Sequence, residues 1–242
     1  MTQKTIFENW FHDFQINRII KKDNSKIDGR PLYGYQLATE ELESLKSIFS
    51  GYYRGLAANN TQLNTYYGAA FVLLASEFFR RSYERQWNWE AIYQFIGVKI
   101  TDVAERTLLI ENGFDYWNLK KIESVEGKNR DFLGAVMNQG GLPWRLVQNS
   151  QDNFGRVIQL CFTDYAEFME KYGSLLPAVE LLAQKHRFPE YLSNHSTFEL
   201  IAGVVDTVVS LQRSYPDIAI VEDPFKYLEE KEPEWIFKFP IP

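Results

Sequence analysis

The stretch Tyr66-Tyr67-Gly68-Ala69-Ala70-Phe71-Val72-Leu73-Leu74-Ala75, continued by Ser76-Glu77-Phe78-Phe79-Arg80-Arg81, decides the fold of this chain. Up to Ala75 it is apolar around nearly its whole circumference at helical spacing, with no polar face to turn towards water. A helix of that kind persists only where other elements enclose it, so the pattern predicts a central, buried helix over 66–83. Glu77, Arg80, Arg81 and Arg85 enter only as the segment leaves the core. The unbroken apolar run, 69–75, falls far short of the ~20 residues that a membrane span requires.

Amphipathic segments lie on both sides of it. Ile6, Phe7, Trp10, Phe11, Phe14, Ile16 and Ile19 recur at helical spacing and predict a first helix. The polar stretch 21–34, broken by Gly29, Pro31 and Gly34, reads as a loop. Thr39 is an N-cap followed by Glu40, Glu41 and Glu43, opening a helix that reaches about residue 56. Trp87-Asn88-Trp89-Glu90 leads into a short helix ending at Ile96, and Thr101-Asp102 starts another that runs to about Trp117. A charged connection over 118–128 precedes the helix 132–138, which stops at Gly140-Gly141 before Leu142-Pro143-Trp144-Arg145. Glycine tolerates the left-handed backbone of a helix C-cap, and proline presets the first turn of the next segment.

Further short helices are expected over 142–148, 153–162, 165–172 and 177–185. Ser196 with Glu199 has the form of a capping box before 198–211, a second nearly all-apolar helix expected to pair with 71–79 at the core. After Pro216, Ile218-Ala219-Ile220-Val221 suggests one short strand, and Lys226 to Glu232 is charged. Trp235-Ile236-Phe237-Lys238-Phe239-Pro240-Ile241-Pro242 alternates as extended structure does. The expectation is an all-α protein: about nine or ten helices in an irregular array around two buried ones, with short extended segments after Pro216. One helical domain would cover 1–215, and the segment 216–242 would lead into a further domain.

Composition limits the function classes. The 18 Phe, 14 Tyr and 6 Trp predict a core filled with aromatic rings. A net charge of −6 opposes broad electrostatic capture of nucleic acid or anionic lipid. Cys161 is the only cysteine, so no intrachain disulfide forms, and no apolar signal segment opens the chain. A cytoplasmic protein is expected, with no membrane association.

No catalytic residue, metal site or cofactor is nominated. One cysteine and three separated histidines (His12, His186, His195) give no zinc or redox spacing, and no phosphate-binding glycine loop follows a strand. Cys161 lies in Val157-Ile158-Gln159-Leu160-Cys161-Phe162, where a buried, inert thiol is expected. Glu126-Gly127-Lys128 after Asp115 and Glu229-Glu230-Lys231 after Asp217 match the acidic-x-Lys end of a metal-dependent nuclease. Such enzymes carry it on paired strands, and neither fragment lies in a strand pattern. The remaining constellation is basic and aromatic: Arg80, Arg81, Arg85, Trp87 and Trp89 in one block, Trp144 and Arg145 in another, with Arg130 and Arg156 nearby. Arginine neutralises phosphate and tryptophan stacks on bases, so these nine residues are the candidate nucleic-acid surface. The competing reading pairs the arginines with Glu77, Glu84 and Glu90 and uses Trp87 and Trp89 to staple a helix corner.

Four patches carry a resemblance. They are Ala75-Ser76-Glu77-Phe78-Phe79-Arg80-Arg81 with Trp87-Asn88-Trp89-Glu90; Phe132-Leu133-Gly134; Gly140-Gly141-Leu142-Pro143-Trp144-Arg145; and Trp235 to the terminal Pro242. Together they resemble the N-terminal region of a large bacterial protein family encoded beside DEAD/DEAH-box helicases in phage-defence islands. The resemblance implies a role in antiviral defence alongside a helicase partner, within a longer polypeptide, and it transfers no active-site residue. The leading expectation is therefore a non-catalytic helical scaffold that docks a partner protein or a following domain. A nucleic-acid-binding module is the alternative, and a metal-dependent nuclease comes third.

Overall fold

The buried helix forms over Thr65–Arg81, and the elements around it are arranged to enclose it. The computed structural model describes residues 3–20, 27, 29–35, 37–59, 65–82, 88–119, 129–141, 153–188 and 192–231. Among these residues there are eleven α-helices and no strand. The chain divides into two units, Met1–Gly140 and Gly141–Pro242.

The first unit contains α1 (Gln3–Phe14), a π-helical turn (Gln15–Ile20) and a 3-10 turn (Leu32–Tyr35). It continues with α2 (Thr39–Asn59), α3 (Thr65–Arg81), α4 (Trp89–Ile96), α5 (Val103–Tyr116) and α6 (Asn129–Gly140). Helix α3 packs most extensively against α5, then α6, and also touches α2, α4 and the 3-10 turn. Every residue of α3 from Tyr67 to Phe79 is buried. Asn88 accepts from Ala91 N at 2.9 Å and Asp102 from Ala104 N at 2.8 Å, capping α4 and α5, whereas Thr39, expected as the cap of α2, is its first helical residue. Ala38 N donates to Glu41 Oε2 at 2.7 Å as α2 begins.

The α3–α5 crossing is made by two glycines in register. A Cβ on Gly113 would lie 2.4 Å from Val72 Cγ2 and 2.5 Å from the Gly68 carbonyl oxygen. A Cβ on Gly68 would lie 2.7 Å from the Leu109 carbonyl oxygen. Neither site has room for one more carbon, so the two backbones are in direct contact. Gly140 repeats the device between α6 and α3, where an added Cβ would meet the Ser76 carbonyl oxygen at 2.3 Å. Its neighbour Gly141 does a different job: with φ at +83° it takes the left-handed conformation that ends the helix.

Aromatic rings close one end of this arrangement. The Trp117 indole N–H donates to the Ala69 carbonyl at 3.0 Å and is fully buried. Around it stand Tyr35 at 5.1 Å, Phe11 at 5.9 Å and Phe14 at 6.3 Å between ring centroids, joining α1, the 3-10 turn, α3 and the end of α5. A second stack places Phe49 of α2 face to face with Tyr67 at 4.5 Å. This is the aromatic core that the composition predicts.

The second unit comprises α7 (Phe154–Thr163), α8 (Tyr165–Tyr172), α9 (Leu176–Lys185), α10 (His195–Ser214), a 3-10 turn (Pro216–Ala219) and α11 (Pro224–Lys231). Helix α10 packs on α7, α9 and the 3-10 turn. It buries Thr197, Ile201, Ala202, Val204 and Val205 and exposes Gly203 and Asp206, so it is amphipathic rather than apolar all round.

Several expectations are corrected. The helices around 71–79 and 198–211 fall in different units, each with contacts of its own. The contacts divide the chain at Gly140/Gly141. The cap of α10 is Asn194, whose side chain accepts from Thr197 N at 3.0 Å, and Ser196 lies within the helix. The strand expected over 218–221 is absent. Pro216 starts a 3-10 turn in which Ile218 N donates to the Tyr215 carbonyl at 3.0 Å and Ile220 N to the Asp217 carbonyl at 3.0 Å. The charged stretch after it is helical, with Asp223 Oδ1 accepting from Lys226 N at 3.1 Å as an N-cap would. The expected helix over 142–148 and the extended stretch over 235–242 lie outside the described residues. Among the described residues, no helix is long and apolar enough to cross a membrane.

Two alanine substitutions separate close packing from ordinary helix propensity. Gly113→Ala is expected to cost about 3 kcal/mol by overpacking against backbone atoms. Gly203→Ala, where an added Cβ meets nothing within 4 Å on a helical backbone, is expected to stabilise by about 0.5–1 kcal/mol. Urea denaturation of the two variants checks both signs.

Candidate functional site

Arg80 and Arg81, the first two candidates for a nucleic-acid surface, are engaged by partners within the protein. Glu77 is only 1% exposed and would be a stranded charge without partners. Arg80 grips it with Nε on Oε1 at 2.8 Å and Nη2 on Oε2 at 2.7 Å, and Arg81 Nε reaches Oε2 at 2.7 Å. Both guanidinium groups then donate to the Leu37 carbonyl, and Arg81 Nη1 also reaches Thr39 Oγ1 at 3.3 Å. One carboxylate and two guanidiniums thus lock the last turn of α3 to the first residues of α2. Among the described residues, Glu77 is the expected acidic partner that pairs with both arginines, and Glu84 lies outside them. The receiving carbonyl at Leu37 carried no signal in the sequence, because any residue type supplies it.

Trp89 is half-buried in a stack rather than standing as an open platform. Its ring lies 6.3 Å from Phe71 and 6.3 Å from Tyr93, and the Arg106 guanidinium sits 5.0 Å over it. Arg106 Nη1 also donates to the Tyr93 hydroxyl at 3.5 Å. On the other side of α5, the Tyr53 hydroxyl donates to the Lys99 carbonyl at 3.2 Å and to Glu105 Oε2 at 3.4 Å. Burial, reinforced by the Glu105 charge, pushes the Tyr53 hydroxyl up to about 12, and burial raises the Glu105 carboxyl as well. This cluster ties α2, α4 and α5 together. Arg106, the cation that occupies Trp89, was not singled out in the sequence.

Arg156 is exposed on α7 in the second unit, and Arg130 lies in the first turn of α6. Arg85, Trp87, Trp144 and Arg145 lie outside the described residues. The second acidic-x-Lys fragment ends on helix α11, not on a strand, and the first falls outside the described residues apart from Asp115. Among the described residues, no three His, Cys, Asp or Glu side chains are placed to hold a metal ion. His195 touches Glu199 at 3.1 Å and Glu180 at 3.7 Å, a half-exposed contact of the kind that contributes little. Cys161 is fully buried, and burial with the nearby Asp164 charge pushes its thiol up to about 12.

One surface stands out instead. Helix α5 buries Leu109, Ile110, Gly113 and Phe114 against the core and turns Ala104, Leu108, Glu111 and Asp115 outward. Spacings of four, three and four residues put these on one stripe. Leu108 is 45% exposed, and Val103, in the first turn and about 140° round the helix from it, is 47% exposed. Val103 and Leu108 were readable as apolar positions within a helix. Only the packing shows that they face away from α3.

An all-α protein of two helical units, with an internally braced first unit and an apolar stripe on α5, is the class that these features define. The description of the YjiT N-terminal domain matches residues 1–142, and that of the YjiT second domain matches 149–242. The chain belongs to the YjiT family, and the join between those two domains falls beside the Gly140/Gly141 division. It is 33% identical over 218 residues to Protein YjiT of Escherichia coli (strain K12), a match covering 89% of this chain and 41% of that protein. The chain therefore spans less than half the length of this relative. No solved structure gives a significant match.

Two measurements check the buried groups. Glu77→Gln leaves two guanidiniums facing a neutral amide and is expected to cost about 3 kcal/mol, read by denaturant unfolding. An unchanged midpoint would mean that the pairs contribute nothing. Cys161 should react with a thiol-specific disulfide reagent at pH 8 about a hundredfold more slowly in the native chain than in the denatured one. Equal rates would contradict its burial.

Proposed function

We propose that the chain is a helical docking module that binds a protein partner, or a further domain of a longer polypeptide, through the outward stripe of α5. The observation that carries this reading is Leu108, 45% exposed on a helix whose opposite face is anchored by Leu109, Ile110 and Phe114. A single exposed leucine is ordinary. Here it stands with Val103 and Ala104 on a helix whose backbone is in direct contact with α3, so the surface is rigid and costs little ordering on binding. The length of the Escherichia coli relative supports a setting in which such a module has other domains to meet.

The nucleic-acid reading loses support at Arg80, Arg81 and Trp89, whose charges and ring already have internal partners. The resemblance to proteins encoded beside DEAD/DEAH-box helicases makes a helicase of that class, within an antiviral defence system, the first partner to test.

Leu108→Asp should leave the helical circular-dichroism spectrum intact and weaken co-purification with a helicase encoded beside the gene by about thirtyfold or more. Association that survives Leu108→Asp unchanged would remove α5 as the docking face. Micromolar DNA binding with a steep salt slope, lost on Arg156→Glu or Arg145→Glu, would replace docking with the nucleic-acid reading.

A further inference from the structure

We draw no further inference here: the strongest candidate, the outward face of α5 around Ala104 and Leu108, belongs to the docking reading already given, and nothing in the structure shows what covers it.

Discussion

The first unit depends on backbone contact between helices at three glycines. Gly68 and Gly113 bring α3 and α5 together so closely that neither could carry a methyl group, and Gly140 brings α6 onto the Ser76 carbonyl. Contact at that range fixes the sliding and rotation of each helix, because interdigitated surfaces without slack have few alternative registers. Once α5 is fixed, the direction of every side chain on it is fixed as well. Leu109, Ile110 and Phe114 point inward, Arg106 reaches Trp89, Glu105 reaches Tyr53, and Ala104, Leu108 and Glu111 are left outside. The docking stripe is a consequence of where the glycines lie.

The same logic accounts for the charges at the end of α3. A helix apolar for most of its length must still end, and this one ends in Glu77, Arg80 and Arg81. Glu77 is buried before the helix leaves the core, so its charge has to be neutralised from within three or four residues. The guanidiniums that do this have donors to spare, and those donors hold the Leu37 carbonyl ahead of α2. Two arginines that look like a phosphate-binding pair in a one-dimensional reading become a clamp between two helices.

The periodic elements were legible in the sequence because their signals are local. The all-round apolar segment became α3, Asn88 and Asp102 cap the helices that their positions suggest, and Gly140-Gly141 ends α6. The failures are places where the deciding partner is remote or the local signal is shared by two structures. Ile218, Ile220 and Val221 have strand propensity, yet Pro216 and the carbonyls of Tyr215 and Asp217 close a 3-10 turn instead. Apolarity alone does not say which helix a face meets. For the candidate surface, residue types identified arginine and tryptophan correctly as chemically capable. They did not reveal that Glu77, Leu37 and Arg106 had already engaged three of them.

Native-state hydrogen exchange across α3 tests the central claim most directly. If glycine-mediated contact makes α3 the pillar of its unit, the amides of 71–79 should exchange only through global unfolding of that unit, with a denaturant dependence matching its full transition. Exchange of those amides through a local opening several kcal/mol below the global limit, while α5 and α6 stay protected, would contradict it.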